Sequence, residues 1–240
     1  GVRQTRDFTR TDTGLAVNVE EMAERVPLAR SIAGVALLTP GVSRPDATIN
    51  ASSRRNQSTL VVSGTSAAES VYYINGLNVT DLRNLLGYAD LPFDAIATID
   101  VKTGGYQAEF GRATGGVVNM VTKSGSNAWH GGATLTYAPE VLRSHAPQAF
   151  SAGGSGVSGA TIYNRMASLE TLDTSVYLSG PILKDRLFFF ALVNPRSTKE
   201  YFAMASQGLS GNNLHTGVQT YNKTTSPRWL AKLDLNITDT

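Results

Sequence analysis

The stretch "TIDVKTGGYQAEFGRATGGVVNMVTKSGSN", Thr98 to Asn127, decides the fold. It contains two apolar runs, TIDVKT and VVNMVT, separated by a segment rich in glycine that also carries an aromatic residue, an acid and an arginine. Runs of β-branched residues that end in glycine or polar turn residues predict strands. The stretch therefore predicts two strands joined by a glycine-rich turn, and the sequence changes character directly after it.

The composition of the 240 residues excludes several classes of protein. The 21 basic and 19 acidic residues are interspersed, so no basic surface for nucleic acid is indicated. Cysteine is absent, which excludes disulfide frameworks, thiolate metal sites and thiol nucleophiles. The longest apolar runs, IAGVALL and LFFFALV, are far shorter than the roughly 20 residues of a membrane-spanning helix. If the chain crosses a membrane, strands must cross it.

The region before Trp129 predicts a small α+β unit. Apolar residues at helical spacing, followed by a Pro-Gly stop, predict a helix from about Leu28 to Leu38. Short runs that end in glycine or polar residues predict strands in STLVVSG, SVYYING, AIATIDVKTG and GGVVNMVTKSG. The polar segments NASSRRNQ and LNVTDLRNLLGYADLPFD predict exposed loops, which are candidate contact surfaces.

From Trp129 onward, hydrophobicity alternates with period two. In WHGGATLTYA and RWLAKLDLNIT the apolar residues share one face, namely Trp129, Ala133, Leu135 and Tyr137 in the first run and Trp229, Ala231, Leu233, Leu235 and Ile237 in the second. Strands of about ten residues, apolar outside and polar inside, are typical of a transmembrane barrel. The predicted connections are long over 140–170, short at PILKDR and long over 196–227, as in outer-membrane barrels. A soluble β-sandwich with two insertions is the alternative.

Several of these segments together carry a family resemblance. YYING, the run from Leu91 to Gly131 and LSGPILKDRLFFF resemble the plug and first barrel strands of a TonB-dependent outer-membrane receptor, especially the Oar-like group. The resemblance implies a plug domain over residues 1–127 and the first strands and loops of the outer-membrane β-barrel over 128–240. The implied fold class is an α+β plug with a small mixed sheet, followed by antiparallel transmembrane strands. Four wall strands cannot close a barrel of about 22 strands, so a fragment is expected.

The resemblance also implies a function and a location. The expected protein is a receptor in the bacterial outer membrane that binds an external solute and imports it by energy-coupled rearrangement of the plug. Its expected partners are the inner-membrane TonB complex, the unidentified solute and outer-membrane lipid, with no nucleic acid, no cofactor and no enzymatic reaction. The alternatives are an Oar-like channel for protein export, a surface adhesion protein and a soluble β-rich binding protein.

Two polar loops form the predicted substrate-binding site. The first gathers four long polar side chains and the second combines apolar, stacking and hydrogen-bonding groups; the residues are Arg54, Arg55, Asn56 and Gln57, and Leu82, Arg83, Asn84 and Tyr88. By the resemblance, both loops lie at the plug apex, facing the external vestibule; solvated turns are the alternative. Glu109 and Arg112 are expected to contact the barrel wall, and the glycines of the opening stretch let backbones pass closely.

Other motifs predict no further chemistry. GSGVSG, Gly154 to Gly159, matches G-x-G-x-x-G, but no strand precedes it and it lies in a Ser/Gly-rich segment. The three histidines share no metal-ligand spacing. Asp90 and Asp94 are explained by a helix-start cap and a solvated loop. Neither a catalytic site nor a metal site is predicted.

Overall fold

The computed structural model describes residues 12–26, 30–45, 59–83, 85–107, 109–142, 149–151, 160–162, 168–207 and 213–237. The chain divides into two compact units, Gly1–Lys123 and Ser124–Thr240. The first unit thus ends one residue after the second apolar run of the opening stretch.

The first unit is an α+β fold built on a mixed sheet. Its elements are β1 (Thr13–Asn18), α1 (Val19–Arg25), α2 (Ile32–Ala36), β2 (Val42–Ser43), β3 (Val61–Val62), β4 (Val71–Ile74), β5 (Leu77–Asn78), β6 (Ile96–Gly104) and β7 (Val117–Thr122), with 3-10 turns at Ala67–Glu69 and Phe93–Ala95. Five strands form one sheet in the order β1-β6-β7-β4-β5, in which only β4 and β7 are parallel. The strands β2 and β3 form a separate pair. The predicted α+β fold with a small mixed sheet is confirmed.

The two strands of the opening stretch form the centre of this sheet. β6 pairs antiparallel with both β1 and β7, and β7 also pairs with β4. Their fully buried side chains are Ile96, Ile99, Val101, Val117, Val118 and Met120. Burying side chains of this size stabilises a fold by about 1.5–3 kcal/mol each, so these strands form the main core.

The helix predicted from about Leu28 to Leu38 is the shorter α2, and a second helix, α1, precedes it where none was predicted. Asn18 caps α1, because its Oδ1 accepts hydrogen bonds from the backbone N–H groups two and three residues later, at 3.1 and 3.2 Å. α1 ends at Arg25, since Val26 precedes a proline and adopts extended backbone. The predicted helix is present as α2, which begins only after its cap Ser31, whose Oγ accepts a hydrogen bond from the N–H of Gly34 at 3.0 Å; the prediction was therefore too long.

The second unit contains a four-stranded antiparallel sheet. Its elements are β8 (His130–Ala138), β9 (Ala149–Ser151), β10 (Ala160–Ile162), β11 (Ser168–Leu183), β12 (Leu187–Gln207) and β13 (Asn213–Leu235), with a 3-10 turn at Glu140–Leu142. The main sheet has the order β13-β12-β11-β8, and every pair in it is antiparallel. The strands β9 and β10 pair separately. The predicted antiparallel strands are confirmed.

One predicted connection of this unit is correct and another is wrong. β11 and β12 are joined by a tight turn in which Asp185 has φ +65° and exchanges two hydrogen bonds with Asn127, at 2.7 and 2.9 Å. Of the long loop expected over 196–227, the described residues 196–207 and 213–227 instead continue β12 and β13, which pair with each other. The polar residues of this segment leave no alternating apolar pattern, so the continuation of the two strands was not visible in the sequence.

Neither helix in the described part of the chain has the length and apolar character needed to cross a membrane.

Candidate functional site

The second predicted binding loop is closed at its base by backbone hydrogen bonds. The N–H of Ala89 donates to the carbonyl of Val79 at 3.2 Å. Nearer the tip, the N–H of Asp81 donates to the carbonyl of Gly87 at 3.0 Å, and the N–H of Leu85 donates to the carbonyl of Asp81 at 2.9 Å. The loop is therefore a compact structure whose ends are fixed on the first unit, as in short functional surface loops.

Tyr88 anchors this loop in the core. It is 5% exposed, and its ring centroid lies 4.5 Å from that of Tyr72. Burial raises the pKa of Tyr72 to about 12, although the N–H of Leu60 donates to the hydroxyl oxygen at 3.2 Å. Burial also raises the pKa of Tyr88, with smaller contributions from Tyr72 and Asp90. Both hydroxyls are neutral at physiological pH.

The exposed tip of the loop contains Leu82, which is 77% exposed, and Arg83. The backbone N–H of Arg83 donates to the carboxylate of Asp81 at 3.0 Å, which fixes the turn. Of the other predicted binding residues, Tyr88 lies buried beneath the tip. The remaining ones, Arg54, Arg55, Asn56, Gln57 and Asn84, lie outside the described residues, so the composition of the predicted site stays a prediction.

The glycine-rich turn between β6 and β7 folds back on itself through Tyr106. Its hydroxyl lies 3.0 Å from the carbonyl oxygen of Ala113 and 3.3 Å from that of Gly115. Glu109 and Arg112 are both exposed on this turn, and Arg112 has φ +66°. Their expected contact with a barrel wall stays a prediction.

Gly115 and Gly116 are the positions where backbones approach most closely in this turn. A Cβ on Gly116 would lie 2.5 Å from Cγ2 of Val62, and one on Gly115 would lie 2.5 Å from Oγ1 of Thr65. Non-bonded carbon atoms pack at about 3.5–4.0 Å, so neither position has room for a side chain. The close approach is to β3 and the residues that follow it, within the first unit itself.

The main sheet of the second unit has an exposed apolar face, here called the outer face. Along β13 the odd-numbered residues from Pro227 to Leu235 are exposed and the even-numbered ones are partly covered; Trp229 is 77% exposed. On β8 the same alternation holds from Gly131 to Leu135. Exposed large side chains of this face are Trp129, Leu135, Tyr137, Leu172, Val176, Leu178, Val193, Trp229, Leu233 and Leu235. The two faces predicted for β8 and β13 are confirmed.

The opposite face of this sheet carries a polar network that the sequence analysis missed. Arg228 donates to Asp173 at 3.2 Å and also to the side-chain oxygen of Asn194. The amide nitrogen of Asn194, which is buried, donates to Asp173 and to the hydroxyl of Ser175 at 2.8 Å. One sequence signal could have indicated this network. All four residues lie on the polar side of strands in which polar and apolar residues alternate.

No three histidine, cysteine, aspartate or glutamate side chains within the described ranges come together to hold a metal ion. Asp94 lies in a 3-10 turn and forms an ion pair with Arg30 instead of a carboxylate pair with Asp90. The segment Gly154 to Gly159 lies outside the described residues.

Comparisons with known proteins agree with this arrangement. The family model described as the TonB-dependent receptor plug domain matches residues 9–117. The TonB-dependent transporter Oar of Myxococcus xanthus is 31% identical over 209 residues, which is 83% of this chain and 18% of that protein. Among solved structures, the outer membrane transporter YddB of Escherichia coli superimposes with a TM-score of 0.64 at 19% identity, over 99% of this chain and 33% of that one.

The siderophore receptor PirA of Acinetobacter baumannii superimposes with a TM-score of 0.56 at 20% identity, over 94% of this chain and 29% of its own length. These two structures support the fold, and the chain spans less than a fifth of Oar and about a third of YddB. The plug match, the similarity to Oar and the apolar outer face point the same way. The chain belongs to the TonB-dependent receptors of the bacterial outer membrane, is of the Oar-like type, and comprises a plug followed by a fragment of the barrel.

Proposed function

We propose that the protein binds a scarce external solute and imports it across the outer membrane. In this proposal residues 1–127 act as the plug, and residues 128–240 are the first strands and loops of the barrel. The inner-membrane TonB complex pulls on the plug and opens a path for the solute. The observation that carries the proposal is the order of the two units, in which a plug-family segment is followed directly by strands with an exposed apolar face.

The solute is held, in this proposal, by the two apical loops. Arg54, Arg55, Asn56 and Gln57 supply charge and hydrogen bonds from one loop. In the other loop, Leu82 and Arg83 supply the exposed tip, and Asn84, the next residue in the sequence, is proposed to add a hydrogen-bonding group. Tyr88 acts from beneath by fixing the loop to the core rather than by touching the solute, since its side chain is buried. The protein carries out no covalent chemistry and needs no cofactor or nucleic acid.

Uptake by intact cells tests the proposal. Cells that produce the full-length receptor and cells that lack it are grown in the same medium, and mass spectrometry follows which solutes disappear from the medium. Import predicts that at least one solute is depleted only by the producing cells. It also predicts that depletion stops when the proton-motive force is collapsed or TonB is deleted.

The alternatives give different results in the same experiment. An export channel predicts that a secreted protein is lost from the medium of the cells that lack the receptor, with no change in solute depletion. An adhesion protein predicts neither change. Either result would refute import.

A further inference from the structure

The chain that joins the two units is bound to the sheet of the second unit at several points. The first unit ends at Lys123, and the strand β8 begins at His130. Between them lies the sequence SGSNAW, from Ser124 to Trp129, here called the joining segment. A short polar run that contains glycine is typical of a simple loop. The contacts of the joining segment therefore call for a physical explanation.

The first two residues of the joining segment contact the polar face of the sheet. The Nζ of Lys232 on β13 donates to the hydroxyl of Ser124 at 2.6 Å. Gly125 lies against β12, because a Cβ on it would be 2.4 Å from the carbonyl oxygen of Phe189 and 2.9 Å from the Cβ of Phe188. Even-numbered residues of β12 and β13 share the polar face, so Lys232 and Phe188 both point to it. Only glycine fits at the second position.

The next contact is at the tight turn that joins β11 to β12. The side-chain nitrogen of Asn127 donates to the carboxylate of Asp185 at 2.7 Å, and its side-chain oxygen accepts from the N–H of Asp185 at 2.9 Å. Asp185 has φ +65°, which aspartate and asparagine adopt more readily than most residues. The N–H of Asn236, just after β13, donates to the carbonyl of Arg186 at 2.8 Å. The joining segment is thus bound to a turn that is itself fixed.

The last residue of the joining segment lies on the outer face. The ring centroid of Trp129 is 5.6 Å from that of Phe189, and a Cβ on Gly180 would be 2.8 Å from the Trp129 ring. Gly180 and Phe189 are cross-strand partners on β11 and β12, on the outer face of the sheet. The joining segment therefore starts on the polar face, passes the turn at Asp185 and ends on the outer face. It hooks around the end of the β11–β12 hairpin.

This hook restrains the last strand of the first unit. β7 ends at Thr122, two residues before Ser124. While the contacts hold, the end of β7 cannot move far from the hairpin. If they break, the six residues of the joining segment become a tether that spans up to about 20 Å. A tether of that length would let β7 leave its place between β4 and β6.

We propose that the joining segment, through Ser124, Asn127 and Trp129, keeps the end of β7 on the β11–β12 hairpin while TonB pulls on the plug. The pull then displaces earlier parts of the plug, and β7 stays in place. The width of the opened path is limited in this way. The role under force rests on the proposed function, whereas the binding of Asn127 to Asp185 does not.

Hydrogen exchange of the Asp185 amide in the purified full-length receptor tests the hook without any force. Asn127→Ala removes both hydrogen bonds, one of them to a charged group, so exchange should be at least about tenfold faster than in the parent. Asn127→Asp places two carboxylates together and should also exchange faster. Asn127→Asp combined with Asp185→Asn should restore slow exchange, because the new carboxylate can accept from both the side-chain amide and the backbone N–H at position 185.

Lys184→Ala, at an exposed position of the same turn, is the matched control and should exchange like the parent. Equal exchange of the Asp185 amide in Asn127→Ala and the parent would overturn the hook. Exchange in the exchanged pair as fast as in Asn127→Asp alone would overturn it as well.

Killing of cells by a bulky glycopeptide antibiotic that cannot cross the intact outer membrane tests the role under force. In cells with equal amounts of assembled receptor, Asn127→Ala should lower the inhibitory concentration several-fold, and only when TonB is present. The parent, Lys184→Ala and the exchanged pair should resist. Equal killing of Asn127→Ala cells without TonB would show a leaky barrel and overturn this role, as would resistance equal to that of the parent. Failure of the proposed function is distinguishable, because the parent would then deplete its solute without TonB.

Discussion

Substituting alanine for Gly116 tests whether the plug core has any room at its glycine-rich turn. The new Cβ would lie 2.5 Å from Cγ2 of Val62 and 2.7 Å from both its Cβ and its Cγ1. Relief to a normal carbon contact requires a shift of about 1 Å. Val62 is completely buried, and the carbonyl of Gly116 accepts a hydrogen bond from the N–H of Val71 at 2.9 Å. Neither Val62 nor the backbone at Gly116 can therefore shift without losing packing or a hydrogen bond.

The expected cost is therefore that of overpacking a core, about 1–3 kcal/mol. Local opening of β3 and β7 should become about 5 to 150 times more frequent. Hydrogen exchange of the purified full-length receptor, read on peptides that cover Val61–Val62 and Val117–Thr122, measures this directly. The amount of receptor assembled in the outer membrane should fall as well.

Two further variants show whether the cause is the contact with Val62. Gly111→Ala is the matched control, because a Cβ there meets no atom within 4 Å and its backbone is not in the left-handed region. In this variant the free energy of local opening should change by no more than about 0.5 kcal/mol, as for neutral surface changes. Val62→Ala removes two of the three clashing atoms. Gly116→Ala should thus cost less in a Val62→Ala background than in the parent. Strictly additive costs, or exchange in Gly116→Ala equal to that in Gly111→Ala, would refute the steric explanation.

Three other predictions concern the buried Tyr72, the two faces of the barrel strands and the first predicted binding loop. Because the pKa of Tyr72 is raised from 10.0 to about 12, the folded plug keeps this proton between those pH values while the unfolded chain loses it. The contribution of Tyr72 to stability is therefore constant below pH 10 and falls as the pH rises from there toward 12, by roughly 3 kcal/mol at most; urea titrations of the parent should show this fall, and Tyr72→Phe should show a smaller one, because burial also raises the pKa of Tyr88. Leu233→Arg on the outer face should cost ~2–4 kcal/mol if the residue lies near the bilayer midplane, whereas Thr134→Arg on the opposite face should be mild. A reversed order in the amount of assembled receptor would mean that the faces are misassigned. Arg54→Ala with Arg55→Ala should weaken solute binding at least ~tenfold without reducing the amount of folded receptor, since one charge-assisted hydrogen bond is worth about 1.5–3 kcal/mol. Arg25→Ala, an exposed arginine on α1, is the control, and unchanged solute binding in the double variant would move the site to the loop around Leu82 and Arg83.

The sequence predicted those parts of the fold whose pattern is repeated along the chain. VVNMVT carries apolar residues on both faces because Val117 and Val118, which point to opposite faces of β7, are both fully buried. RWLAKLDLNIT alternates because one side of β13 is exposed and the other is partly covered. In both segments the burial pattern is repeated from residue to residue. It is therefore visible in the sequence without knowing which strand pairs with the segment.

The features that the sequence analysis missed depend on partners far apart in the chain. The network on the polar face joins Asp173 to Arg228, 55 residues later, and to Asn194 between them. The extension of β12 and β13 depends on pairing between two polar segments, neither of which predicts a strand by itself. The position of Tyr88 was equally hidden, because a tyrosine in a polar loop has no local sign that its ring packs on Tyr72.

The same reasoning explains why the family could be inferred from sequence while the solute could not. The outer face must be apolar at every second residue, and the plug core must exclude water along whole strands. Both requirements recur along the chain, so they produce a regular pattern of hydrophobicity in the sequence. A binding loop, by contrast, contacts one molecule through a few side chains, and these have no regular spacing in the sequence. The Leu82 and Arg83 tip is consistent with an anion, a peptide or a sugar, because an exposed leucine beside a guanidinium suits each of them. Solute depletion by living cells measures the specificity of this loop directly, because every solute of the medium competes for it.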